Sequence, residues 1–119
     1  GGTQRLARRI GENRAKEMIF TGKNINAQKA LEYGIINKIC EPENLMDEVL
    51  KTANLIATKG KVALRSAKEA VQIGLNSDLE TGCKIENNVF GLTMASEDAK
   101  EGTHAFLEKR KAVFKGERY

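Results

Sequence analysis

The chain has 119 residues, 40% of them hydrophobic and 30% charged, and carries a net charge of +4 from 20 Lys and Arg against 16 Asp and Glu. This is the composition of an ordered globular chain, and it excludes a disordered or low-complexity one; the mixed charges also speak against nucleic acid, which needs basic residues collected on one face. With no Trp and 5% aromatic residues the core must rest on Leu, Ile, Val and Ala, and a chain of this length is expected to bury roughly two-thirds of its unfolded surface and to fold alone.

Taken in order, Thr3 is placed to cap a helix over 4–10, with Leu6, Ala7 and Ile10 on one side, Arg5, Arg8 and Arg9 on the other, and Gly11 as its stop. The glycines of "GGT" offer free backbone N–H groups that could hold an anion, against the plainer reading of close packing at a tight turn. A second helix, 12–20, has Ala15, Met18 and Ile19 on its apolar side and ends at Gly22; Asn26 caps a third, 27–33, closed by Gly34. The stretch "IINKIC", 35–40, reads as the one strand, bounded by Gly34 and Pro42. A lone strand needs a partner from elsewhere, so exposed apolar surface is expected around Ile35, Ile36 and Ile39.

Pro42 suits a helix first turn, and Leu45, Met46, Val49, Leu50, Ala53, Ile56 and Ala57 keep helical spacing to about 58, with Gly60 as the stop. The next helix covers 62–75. Ser77 and Glu80 have the spacing of a capping box for a longer helix ending near 95. Ser96 caps the last helix, whose acidic start (Glu97, Asp98) and basic end ("EKRK") suit the helix dipole. The expected fold class is therefore mainly α, helices plus one strand, with a composition shift near Glu41 and Pro42 as the boundary.

Little chemistry stands out. The one histidine, His104, lies within the last helix without a Ser or Cys partner and reads as structural. Cys40 and Cys83 have neither metal-ligand nor redox spacing, and read as reduced packing residues in a reducing compartment. No phosphate-binding loop, zinc-protease or nucleophile-elbow motif occurs. No apolar run is long enough for a membrane span, and no charged-then-apolar leader is present. The most suggestive run is "AFLEKRKAVFKGERY": an aromatic or acyl group could lie on Phe106, with phosphate brought to Lys109, Arg110 or Lys111.

The segments "GGTQRLARRIG", "AKEMIFTGKNINAQKALEYGIINKI", "ALRSAKEAV" and "EDAKEGTHAFLEKRKAVFKG" together resemble the C-terminal part of the crotonase family, the enoyl-CoA hydratases and isomerases. They are most similar to the short-chain enoyl-CoA hydratases and bacterial 3-hydroxybutyryl-CoA dehydratases. The resemblance implies the C-terminal portion of an α/β spiral fold with its helical trimerisation region. Residues 1–40 would end the spiral core, and 41–119 would form the helical oligomerisation region.

The activity so implied is addition of water across the double bond of an enoyl-CoA, or its reverse from 3-hydroxybutyryl-CoA to crotonyl-CoA, in fatty-acid or butyrate metabolism. In the family two glutamates position and activate water and two backbone N–H groups hold the thioester oxygen. All precede the counterpart of Gly1, so no catalytic residue is carried over, and the 119 residues alone are expected to be a fragment without activity. By position, Phe90 and Phe106 resemble the aromatic residues facing the acyl and pantetheine region, and Lys109 the lysine approaching the CoA phosphates. No metal or cofactor is implied, since coenzyme A enters as part of the substrate. The implied partners are an acyl-CoA thioester and further copies of the chain, as a trimer or dimer of trimers, in the cytoplasm or the mitochondrial matrix. An isomerase within the family and a non-catalytic helical oligomerisation or interaction module are the alternatives.

Overall fold

The computed structural model describes residues 1–116, and its contacts divide the chain inside one helix into two units, Gly1–Leu50 and Lys51–Tyr119. In the first unit a turn of π-helix, Gly2–Leu6, runs into α1 (Ala7–Ile10), followed by α2 (Glu12–Thr21) and α3 (Ala27–Glu32). Thr3 lies inside the first turn rather than capping it: Gly1 holds the cap position, and the Arg5 amide donates to the Gly1 carbonyl at 2.9 Å. Nothing lies within 4 Å of a side-chain carbon built on Gly2, so close packing does not explain the paired glycines.

Ile10 and Ala15 are the buried apolar residues of this unit. The link between α2 and α3 is a stack absent from the sequence reading: the Arg14 guanidinium lies 4.5 Å from the centre of the Tyr33 ring and the Lys29 ammonium 5.2 Å from it. Asn26 caps α3 as expected, accepting from the Lys29 amide at 2.8 Å. At its other end Gly34 is left-handed (φ 72°), and the amides of Gly34 and Ile35 donate to the carbonyls of Leu31 and Ala30. These two bonds form a Schellman closure, which glycine enters without steric cost.

Residues 35–40 form no strand; among the described residues there is none. A strand is stable only when its N–H and C=O groups meet a neighbour, and no segment here supplies one. Ile35 and Ile36 are half-buried and only Ile39 of the three is exposed, while Lys38 pairs with Glu48. Beyond them Pro42 opens a 3-10 turn, Pro42–Asn44, that leads into α4 (Leu45–Ala57).

The division at 50/51 falls within α4, later than the composition shift at 41/42. Six large apolar residues of α4 are exposed: Leu45, Met46, Val49, Leu50, Leu55 and Ile56. The whole chain exposes 9814 Å², against roughly 6400 Å² for a folded monomer of this mass. It therefore buries about half of its unfolded surface rather than the two-thirds expected from length.

The second unit continues with α5 (Lys61–Gly74), α6 (Leu79–Met94) and α7 (Glu97–Leu107). The α5–α6 hairpin closes on two glycines: a side-chain carbon at Gly82 would lie 3.5 Å from the Gly74 carbonyl oxygen. The capping box expected from Ser77 and Glu80 is replaced by a simpler cap. Ser77 turns its hydroxyl back to the Gly74 carbonyl (2.9 Å), and Asp78, one residue later, accepts from the Thr81 amide at 3.0 Å. Ser96 caps α7 as expected, accepting from the Ala99 amide at 3.2 Å.

After α7 the chain does not leave but folds back. Asp98, 5% exposed, accepts the backbone amides of Lys115 (2.9 Å) and Gly116 (3.1 Å). The Phe114 ring sits 3.4 Å from the side-chain carbons that Gly60 and Gly102 lack, and Val62 and Ala105 are the buried apolar residues of the unit. Gly116 is itself left-handed (φ 78°), and a side chain there would meet Lys61 at 2.9 Å.

Among the described residues no helix is long and apolar enough to cross a membrane. Cys40 is half-buried, but Cys83 is exposed and does not serve as a packing residue; both are free thiols.

Two stability outcomes follow. Asp98→Ala removes a charged acceptor from two amides and is expected to cost about 2 kcal/mol in urea unfolding, with faster proteolysis after α7. Gly34→Ala forces a side chain into the left-handed region and should cost about 1 kcal/mol by the same measurement.

Candidate functional site

The residues that the resemblance points to stand on the second unit. Phe90 lies on α6 and is 63% exposed; Phe106 lies in the last turn of α7 and is 81% exposed. Lys109 follows α7 at once and, with φ 54°, is the one non-glycine residue of positive φ among those described. The basic end expected for the last helix is therefore outside it: α7 stops at Leu107. Arg118 of the basic run lies beyond the described residues.

Lys109 occupies the same place in its turn as Gly34 does after α3. Its amide donates to the Phe106 carbonyl (3.2 Å), and the Arg110 amide to that of Ala105 (3.0 Å), a second Schellman closure with lysine at the left-handed position. A lysine there is held against its own preference, at a cost on the order of 1 kcal/mol.

Beside it stands a carboxylate not singled out from sequence. Glu101 on α7 accepts both terminal nitrogens of Arg110, at 2.6 and 2.9 Å, and the Val113 amide at 2.8 Å. The Nε of Arg110 donates to Glu108 at 2.6 Å. These contacts pair the Arg110 guanidinium with two carboxylates, so of the three cations considered for phosphate, Arg110 is already neutralised. Lys109 and Lys111 are exposed and have no ion pair among the described residues.

A hollow of about 460 Å³ lies beside this strap, against α7, lined by Glu97, Asp98, Lys100, Glu101, His104, Val113 and Lys115. It contains none of Phe90, Phe106 or Lys109. Its charges are largely paired: Lys100 with Glu97 at 2.6 Å, Asp98 and Glu101 with the strap. His104 is exposed at its edge. Among the described residues no group of three or more His, Cys, Asp or Glu side chains could hold a metal ion.

The hydrogen bond from Arg110, reinforced by that from the Val113 amide, holds the Glu101 carboxyl down to about 2. Since the folded value is lowered, the clamp contributes in full above the ordinary carboxylate value, 4.5, and is lost as pH falls through about 2. The protection factor of the Val113 amide, its exchange rate by NMR corrected for the intrinsic pH dependence, should therefore be full at pH 5 and fall as the pH is lowered towards about 2, ahead of amides in the α5–α6 hairpin.

Comparison with known proteins bears on the family of the chain. Residues 1–117 match the family described as enoyl-CoA hydratase/isomerase. The crotonyl-CoA hydratase of Syntrophomonas wolfei is 46% identical over 114 residues, which are 96% of this chain and 44% of that protein. A short-chain-enoyl-CoA hydratase of Clostridioides difficile is 47% identical over 106 residues, 89% of this chain and 68% of that protein. The crystal structure of enoyl-CoA hydratase from Bacillus anthracis superposes with a TM-score of 0.95 at 44% identity, covering 98% of this chain and 45% of that one. The chain thus spans under half the length of the Syntrophomonas and Bacillus proteins and about two-thirds of the Clostridioides one. Over nearly its full length, in sequence and in fold, this chain belongs to the enoyl-CoA hydratase/isomerase family.

Proposed function

We propose that the chain forms the C-terminal part of an enoyl-CoA hydratase, supplying its assembly surface and one side of the acyl-CoA pocket. The observation that carries this reading is the run from Phe106 to Lys109: an exposed aromatic ring followed within three residues by a cation in a left-handed turn that has no ion pair among the described residues. An apolar acyl or pantetheine group has a ring to lie on, and a phosphate has an ammonium beyond it. Phe90 adds a second exposed ring on α6. Coenzyme A serves as the substrate's own handle, and the reaction calls for no further cofactor.

The acid–base step belongs to two glutamates and the polarising step to a pair of backbone N–H groups, as in the family. None of these is assigned among the 119 residues. Losing general acid–base catalysis alone costs ~10²- to 10⁴-fold and one oxyanion donor ~10²- to 10³-fold, so the chain by itself is inactive. Residues 1–40 end the spiral core of the parent enzyme, and residues 41–119 carry the trimer or the dimer of trimers. The parent works in fatty-acid or butyrate metabolism in a cytoplasm or a mitochondrial matrix.

The exposed apolar face of α4 favours assembly as a second role, since large contiguous apolar patches mark surfaces that other protein covers. Two measurements test the reading. The native polypeptide should have a mass well above the 13.1 kDa of these residues and hydrate crotonyl-CoA, whereas double-bond migration without hydration would make it an isomerase. The 119-residue chain should self-associate across a concentration series in sedimentation and leave crotonyl-CoA unchanged. A native protein of 13.1 kDa with no affinity for acyl-CoA would instead be an assembly module.

A further inference from the structure

The chain contains the same helix closure twice, and the two copies differ in one respect. After α3 the left-handed residue is Gly34, and no ion pair spans the turn. After α7 it is Lys109, and the turn is bracketed: Arg110, the next residue, is bound through both terminal nitrogens to Glu101, two turns back on the helix, and through Nε to Glu108, the residue before Lys109. Glu101 also takes the Val113 amide, so one carboxylate fixes the chain on the far side of the turn as well. Glycine needs no such clamp, because its left-handed conformation carries no side-chain clash. Lysine does, and among the described residues the Lys109 ammonium, unlike the Arg110 guanidinium, has no ion pair.

We propose that Glu101 is a positioning residue: by holding Arg110 and the Val113 amide it keeps Lys109 in the left-handed turn and so sets where the Lys109 ammonium meets the phosphates of an acyl-CoA. Its carboxylate touches no ligand itself. The ligand half of this statement rests on the reading given under Proposed function; the conformational half does not.

The test uses the full 119-residue chain with coenzyme A as the probe. Affinity is measured by calorimetry and the backbone at position 109 by its NMR scalar couplings and Cα shift, for Glu101→Gln, Lys109→Ala, their combination, and Arg110→Gln as a second way of opening the clamp. Lys109→Ala alone should weaken binding about tenfold, the loss of one charge-assisted contact. In the Glu101→Gln or Arg110→Gln background the same change should cost about twofold or less, because the lysine is no longer held in place. Both clamp variants should also move residue 109 out of the left-handed region before any ligand is added.

The proposal is overturned if residue 109 stays left-handed in both clamp variants, or if the affinity losses of Glu101→Gln and Lys109→Ala simply multiply. If the wild-type chain does not bind coenzyme A, the ligand half of the proposal is overturned for this chain, and the couplings alone decide whether Glu101 holds the turn.

Discussion

Two carboxylates three residues apart on α7, Asp98 and Glu101, organise the C-terminal end of this chain. Asp98 is buried and takes the last described amides, those of Lys115 and Gly116; Glu101 takes Val113 and Arg110. Between them they return residues 110–116 to the helix they have just left. A charged acceptor is suited to the task because hydrogen bonds to ionised groups are stronger than neutral ones, and a strap this short has little apolar surface with which to secure itself. Phe114 is its one aromatic anchor, and it fits because Gly60 and Gly102 leave room for the ring.

The clamp also decides what the basic run is. As a string of residues, Lys109, Arg110 and Lys111 form one patch, any member of which could meet a phosphate. In the folded chain Arg110 is committed to Glu101 and Glu108, and the accessible charge is shared between its two neighbours. One of these, Lys109, is held in a conformation that only a surrounding structure maintains. It stands three residues beyond the exposed ring of Phe106.

The rest of the chain is lightly buried. Among the described residues four apolar ones are buried, while six large ones of α4 are exposed. Much apolar area therefore remains for association. The cation–π stack on Tyr33 and the glycine contact between α5 and α6 are local contacts.

The sequence by itself determined the helices, the caps at Asn26 and Ser96, the closure at Gly34 and the family, because each of these is written within a few neighbouring residues or in ordered motifs. It misled where the deciding partner was absent or displaced. "IINKIC" has strand composition but no neighbouring strand to pair with, and Ser77 has cap chemistry but spends its hydroxyl on Gly74, leaving the cap to Asp78. Asp98 reads as a first-turn acid of the last helix and Glu101 is not singled out at all, and their partners lie 9 to 18 positions further along. Only the tertiary structure could decide that, since a contact over such a distance depends on the chain reversing after Leu107, and that reversal turns on a lysine adopting a backbone conformation that its own chemistry disfavours.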